Sequence, residues 1–392
     1  MYFPHPHILK TILISGALLS GCAPLSEAKN NDVGNSSQPP HFSSASGKMI
    51  EKQAFDNFVE AQMNELAIPG LALAVIADGE VVYHAAKGVA HSEKQKLIDE
   101  TSVFEAASLS KPVFAYFVLK LADQGVIDMD RPLYQYRTLD GFEETNSYQD
   151  VTARMALSHR TGFPNWRWFD PAPPESGIER GAMYMKREPG EFGYSGEGYN
   201  YVSLVVADLV NRNQTTLDEL FQEEVAKPLG LSCSSFVRTA CVGERKVSGH
   251  KEGKPFEKNW PRSFPDDTPA TFGAAGRLHT NALDYARIMI AMMEGEGLSS
   301  EMSSELFSKQ TDVPITSTSH TKDGVTGWTL GLAMEPTDYG IRFEHGGNNG
   351  DFQSGMMFFK DQRLGFVFLT NSDQGQRLNK PLEKCITFAE CD

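Results

Sequence analysis

The chain carries a strand–turn–strand signal near each end and a long helical stretch between them. LALAVIADGEVVYHAAKG, Leu71 to Gly88, sets two apolar, β-branched runs around Asp78-Gly79. That dipeptide suits the positive φ angles of a two-residue hairpin turn. Far downstream, Met356–Phe359 and Gly365–Leu369 flank DQRL in the same way, and LGLAMEP (Leu330–Pro336) and GIRFEHGG (Gly340–Gly347) read as further strands. Between these ends, roughly Ser108 to Met293, the pattern is mainly helical. The expected fold class is α+β, an antiparallel sheet built from both chain ends with flanking helices, plus a mainly helical lobe. One flanking helix is expected where Phe55, Phe58, Val59, Gln62 and Leu66 keep helical spacing before Pro69-Gly70. A second closes the chain from about Arg377 to Ala389. A cleft at the boundary of sheet and lobe is where a small-molecule site belongs.

The first residues are of another kind. Thr11 to Gly21, TILISGALLSG, is an uncharged apolar run of signal-peptide length, too short to span a bilayer. It ends in Leu19-Ser20-Gly21-Cys22, which resembles the lipobox of bacterial lipoproteins. The resemblance implies a signal peptide over 1–21, lipidation of Cys22, and a place in the cell envelope facing the periplasm, with Ala23 favouring the outer membrane. Ser26 to Lys48 is rich in Ser, Asn, Pro and Gly, so 22–48 is expected to be a disordered tether and 49–392 the folded domain. Of five cysteines, Cys233, Cys241, Cys385 and Cys391 remain for disulfides; three pairings are open, the two close pairs being the simplest. Neither pair has histidines at metal-finger spacing, and no metal or cofactor is expected. A formal net charge of −15 argues against nucleic acid as a partner.

EAASLSKPVFAYFVLKLADQG, Glu105 to Gly125, is the segment richest in chemistry. Ser-x-x-Lys occurs four times, beginning at Ser26, Ser108, Ser248 and Ser319, but only Ser108 opens a helix with an apolar stripe (Phe114, Phe117, Val118, Leu121). Pro112 belongs in a first turn, and Gly125 ends the helix. Residues three apart share a helix side, so Lys111 can reach the Ser108 hydroxyl, and a helix start favours developing negative charge. An N-cap serine with a solvated lysine reads the same tetrapeptide without chemistry.

Two further motifs decide between them. PGEFGYSGEGYNYVSLVVADLV places Tyr194 in a polar turn before an apolar helix, and FEHGGNNGDFQSGMMFF places His345-Gly346-Gly347 on a late strand. From about residue 50 to 372 the chain resembles the serine hydrolases of the class C beta-lactamase and penicillin-binding-protein superfamily. The likeness includes IPGLALAVIADGEVVY, FEAASLSKPV, LSHRTGFPNW and AAGRLHT. The resemblance implies Ser108 as nucleophile of an acyl-enzyme, with Lys111 and Tyr194 sharing the proton transfers. It also implies an oxyanion hole from the Ser108 and Asn348 backbone N–H groups, and substrate binding along His345, Gly346 and Gly347. Lys and Tyr titrate near about 10 when unperturbed, so one must shift by about three units to act as a base at neutral pH.

The chain departs from this pattern twice. The family's asparagine after the tyrosine is Gly196 here, leaving Lys111 short of a partner unless Glu197, another side chain or water replaces it. His345 stands where beta-lactamases carry lysine, and a neutral imidazole supplies no fixed charge for a substrate carboxylate. Arg342 is offset by an odd number along the strand and faces away. The expected function is a serine hydrolase acting on a small ester or amide, with weak beta-lactam turnover. The alternatives are a D-amino-acid peptidase, carboxypeptidase or beta-lactamase on cell-wall substrates, or a catalytically silent envelope binding protein. His159 is expected to be structural, whereas Trp166, Trp168 and Phe169 either wall the cleft or pack the lobe.

Overall fold

The computed structural model describes residues 39–391 apart from 140–141, 143–146 and 257–267. The expected signal peptide, Cys22 and the first part of the expected tether lie outside the described residues. The last part of that tether does not match the structure. His41–Ser43 pairs with Met49–Glu51, with Phe42 opposite Ile50. The Phe42 ring packs edge-on to Phe55, 5.5 Å between centroids. One aromatic side chain in a polar run docks the segment, so the folded part begins near Pro39 instead of Met49.

The sheet is antiparallel and drawn from both ends of the chain. Its strands, in chain order, are β1 (Gly70–Ala77), β2 (Glu80–His91), β3 (Lys96–Leu97), β4 (Thr311–Asp312) and β5 (Gly327–Trp328), then β6 (Ala333–Thr337), β7 (Gly340–Asn348), β8 (Gln353–Phe359) and β9 (Leu364–Thr370). Among the described residues they lie in the order β4-β5-β6-β7-β8-β9-β1-β2-β3. The closure is the β9–β1 pairing, which sets Val367 opposite Ala74.

β1 is buried on both faces, and its alternation sorts the two layers. Leu71, Leu73 and Val75 join a core with α1 (Lys52–Glu65) and the closing helix, whereas Ala72, Ala74 and Ile76 join the larger core under the helical part. That larger core is organised around α2 (Ser110–Asp123), followed by α3 (Gly196–Leu209) and α4 (Ala282–Glu294); α5 (Asn379–Phe388) closes the chain.

Two expectations need correction here. α2 is not amphipathic: Ser110 through Leu121 are all buried, because the helix lies inside the larger core, against Gln222–Ala226 and Ser300–Phe307. The lobe boundary also differs, since α4 packs directly on β1, β2 and β9, and helices continue at Ser300–Phe307 and Thr318–Asp323. The cysteines pair as Cys233–Cys241 and Cys385–Cys391, the second tying down the end of α5.

Candidate active site

The nucleophile candidate sits on a tightly held turn. Phe104–Glu105 pairs with His279–Thr280, and a single 3-10 turn, Ala107–Leu109, then leads into α2. Ala107 has a φ of 50°, a left-handed conformation that costs a non-glycine residue energy and is kept only where its surroundings impose it. They do so through Ser110, whose hydroxyl donates to the Ala107 carbonyl (2.6 Å) and accepts from Leu278 N (2.9 Å). Ser108 is left half-buried, facing the cleft.

Lys111 is fully buried one turn further on. Its Nζ lies 3.2 Å from Ser108 Oγ and 2.7 Å from the Ala275 carbonyl oxygen. The ammonium also lies 4.8 Å from the centre of the Tyr194 ring. Burial lowers the Lys111 amine to about 7. Burial pushes the Tyr194 phenol above the usual value, an effect that the neighbouring Ser108 hydroxyl only partly offsets. Desolvation favours the neutral form of both groups, which makes the amine the available base and leaves the phenol protonated.

The loop LSHRTGFPNW positions Tyr194. His159 Nδ1 accepts from Ser195 N (3.1 Å), and its ring packs on the Tyr194 ring with centroids 4.2 Å apart. Ser195 caps α3 by accepting from Gly198 N (3.2 Å), while its hydroxyl donates to the Pro164 carbonyl (2.8 Å). The imidazole is neutral, held well below its usual range by burial and then by the charge of Lys111. His159 therefore positions Tyr194.

On the third side lies β7. β6 pairs with it only as far as Glu344, opposite Ala333, so among the described residues the edge from His345 to Asn348 has a strand neighbour only in β8. Gly347 is where this strand meets the nucleophile's turn: a Cβ there would stand 2.5 Å from the Ala106 carbonyl oxygen and 3.2 Å from Ala107 Cβ. The close approach brings the Asn348 backbone beside Ser108, and Asn348 and Gly346 line the cleft.

His345 and Gly347, expected with Gly346 to bind substrate, point to the other side of the strand from Gly346. Alternation puts them on the inner face of β7, both buried, with His345 against Tyr194 and Trp328. His345 Nδ1 donates to the Gly346 carbonyl (2.8 Å), and its Nε2 is buried without a partner. Burial, then Lys111, lowers it to about 3, so it carries no charge. Arg342 is on the opposite face, as its offset implies, and pairs with Glu335, Glu344 and Glu383.

The replacement for the family's asparagine is not Glu197. That carboxylate turns to Arg167, accepting from its backbone N (3.2 Å). Lys111 takes the Ala275 carbonyl instead, a backbone partner from the AAGRLHT turn that no side-chain motif signals. Trp166 and Phe169 line the cleft, with Ser108 and Tyr194, in a volume of about 1330 Å³. Deeper in it, Glu105 joins Lys246 Nζ (2.7 Å) and Asn349 Nδ2 (2.8 Å), tying the strand before Ser108 to the turn after Asn348. Among the described residues no group of three or more His, Cys, Asp or Glu side chains is placed to hold a metal ion.

The family model described as Beta-lactamase matches residues 55–384. Penicillin-binding protein 4* of Bacillus subtilis (strain 168) is 23% identical over 78% of this chain and 69% of its own length. Esterase EstB of Burkholderia gladioli is 26% identical over 57% of this chain and 60% of its own. The chain spans from 46% to 69% of the length of the curated relatives it matches. Among solved structures, EstCE1, described as a hydrolase with promiscuous acyltransferase activity, superposes with a TM-score of 0.69 at 18% identity, covering 85% of this chain and 97% of that one.

Proposed function

From the premise that the chain belongs to the beta-lactamase family and is a serine hydrolase, we propose that it cleaves small esters or amides through an acyl-enzyme on Ser108. The observation that carries this reading is the buried Lys111 amine, lowered to about 7 and 3.2 Å from the Ser108 hydroxyl. Neutral Lys111 takes the hydroxyl proton as Ser108 Oγ attacks the carbonyl. The oxyanion is received by the Ser108 and Asn348 backbone N–H groups at the meeting of the 3-10 turn and β7. Tyr194, protonated and lining the cleft with Ser108, passes its proton to the leaving group and takes the one held by Lys111. Water then enters by the same route in reverse and releases the acid.

Esters are favoured over beta-lactams. The strand edge lacks a fixed cation, because His345 is neutral and Arg342 is committed to carboxylates on the far face. Lys246 is paired with Glu105, and Arg277 donates to the carbonyls of Thr268 and Thr271. A second reading, a D-amino-acid peptidase, draws on Arg238 lining the cleft, where a substrate carboxylate would find positive charge. The relative named penicillin-binding protein 4* is in keeping with it. Comparing p-nitrophenyl acyl esters with D-alanyl amides and a chromogenic cephalosporin, beside Ser108→Ala, separates the two. Turnover confined to the amides refutes the ester reading, and absence of a fluorophosphonate adduct on Ser108 refutes acyl transfer.

The N-terminal lipobox supports a location in the envelope, with the chain anchored through Cys22. Loss of palmitate labelling and of membrane fractionation in Cys22→Ala is the expected result.

A further inference from the structure

Gly196 has no space for a side chain, and the occupant of that space is identifiable. A Cβ at Gly196 would stand 2.7 to 2.9 Å from three atoms of the Trp166 indole. The same ring lies 6.0 Å from the Lys111 Nζ and lines the cleft beside Ser108 and Tyr194. Its backbone is fixed. Gly196 N donates to both the carbonyl and the side-chain Oδ1 of Asn165, 3.0 Å in each case, and the Trp166 carbonyl accepts from Phe169 N (2.9 Å) and Asp170 N (2.7 Å). Phe169, from the same loop, adds a second ring, 67% exposed, to the cleft wall.

We propose that Trp166, seated over Gly196, is the acyl-selecting wall of the site, taking a flat or extended apolar acyl group and discriminating against an acylamino one. The inference rests on the reading that Ser108 carries the acyl group. The part of a substrate that stays on Ser108 Oγ through the cycle is its acyl part, and Lys111, beside that atom, lies under the indole. An amide side chain at residue 196 would have offered a donor and an acceptor there. The indole face and a glycine Cα offer neither, so the N–H and C=O of an acylamino group would be desolvated without partners. An apolar acyl group loses nothing on desolvation and gains contact with a ring already held in place.

The experiment compares kcat/KM for p-nitrophenyl acetate, hexanoate, phenylacetate and N-acetylglycinate in the native protein, Trp166→Phe, Trp166→Leu and Trp166→Ala. Acetate serves as the internal reference. The native protein should prefer hexanoate and phenylacetate over N-acetylglycinate at least tenfold. The phenylacetate-to-acetate ratio should fall about tenfold in Trp166→Ala, fall less in Trp166→Leu, and persist in Trp166→Phe. Gly196→Asn should lose activity beside Trp166 and recover in the Trp166→Ala/Gly196→Asn double variant, with the preference moved toward N-acetylglycinate. A uniform loss across all four esters, or a fully active Gly196→Asn, overturns the proposal. Fluorophosphonate labelling of Ser108 in the native protein separates the two levels. An adduct with an acyl preference indifferent to residue 166 removes only the wall, whereas no adduct removes the acyl-enzyme as well.

Discussion

The Lys111 ammonium nitrogen lies 2.7 Å from the carbonyl oxygen of Ala275, a residue from the turn before α4. This contact occupies one N–H of the amine, leaves Nζ 3.2 Å from the Ser108 hydroxyl so that the lone pair of the neutral amine can take its proton, and replaces the side-chain amide absent at Gly196. A carbonyl dipole orients the amine without the full countercharge that would hold it protonated, so burial still dominates.

The first expectation concerns pH. With the Lys111 amine at about 7, kcat/KM for an ester should fall about tenfold per unit below pH 7 and level off above it. Tyr194, raised by burial, stays protonated across that plateau. Lys111→Arg remains cationic at every accessible pH and should lose about a hundredfold or more. A flat profile from pH 5 to 8 would remove Lys111 as the base.

His159→Ala should act through Tyr194. It removes the acceptor of Ser195 N and the ring packed on the phenol. A buried N–H left unpaired costs about 1–3 kcal/mol, to be read in a denaturant midpoint. The ester kcat should drop about tenfold with KM little changed, because the phenol is misplaced while the cleft wall stays.

The adjacent glycines of β7 should behave differently. Gly347→Ala pushes a methyl against the Ala106 carbonyl at 2.5 Å, and overpacking of this kind costs about 1–3 kcal/mol. It also moves the Asn348 N–H from the nucleophile, so kcat should fall about a hundredfold, the loss found when one oxyanion donor is removed. At Gly346 the nearest atom is the flexible Gln376 Nε2, 3.1 Å away, and Gly346→Ala should be tolerated in stability, its effect appearing in KM. Kinetics on the two variants at one pH decide this.

Glu344 supplies a pH dependence of stability separate from catalysis. Three carboxylates, Glu335, Glu344 and Glu383, share Arg342, and burial raises the Glu344 carboxyl from 4.5 to about 7, an effect Arg342 only partly offsets. The folded state binds this proton more tightly than the unfolded chain, so the group's contribution favours folding below pH 4.5 and is lost as pH rises through 7. Glu344→Gln should therefore be more stable than the native protein above pH 7, by about 1–3 kcal/mol. The difference should close below pH 4.5, in paired thermal melts.

The chemistry that lies within one helical turn or one hairpin was legible in the sequence. Ser108 and Lys111 are three residues apart on a helix start, and the Asp78-Gly79 hairpin joins two strands by a turn whose residues demand it. The position of His345 relative to Arg342 followed from strand alternation. Less was legible wherever a short segment found a distant partner. Phe42 docked a run whose composition reads as tether, and α2 proved buried all round because its surroundings, not its own periodicity, decide how many faces are covered.

What the sequence by itself determined was the sheet drawn from both ends, the serine–lysine spacing and the missing side chain at Gly196. Each depends on neighbours along the chain, where covalent geometry limits the outcome. Tertiary structure alone decided which group is the base, what fills the space over Gly196, and that His345 and Gly347 face inward. Those outcomes depend on desolvation and on contacts across long separations, from Lys111 to Ala275, Trp166 to Gly196, and Gly347 to Ala106. No local pattern encodes them, because burial is a property of everything that packs around a group.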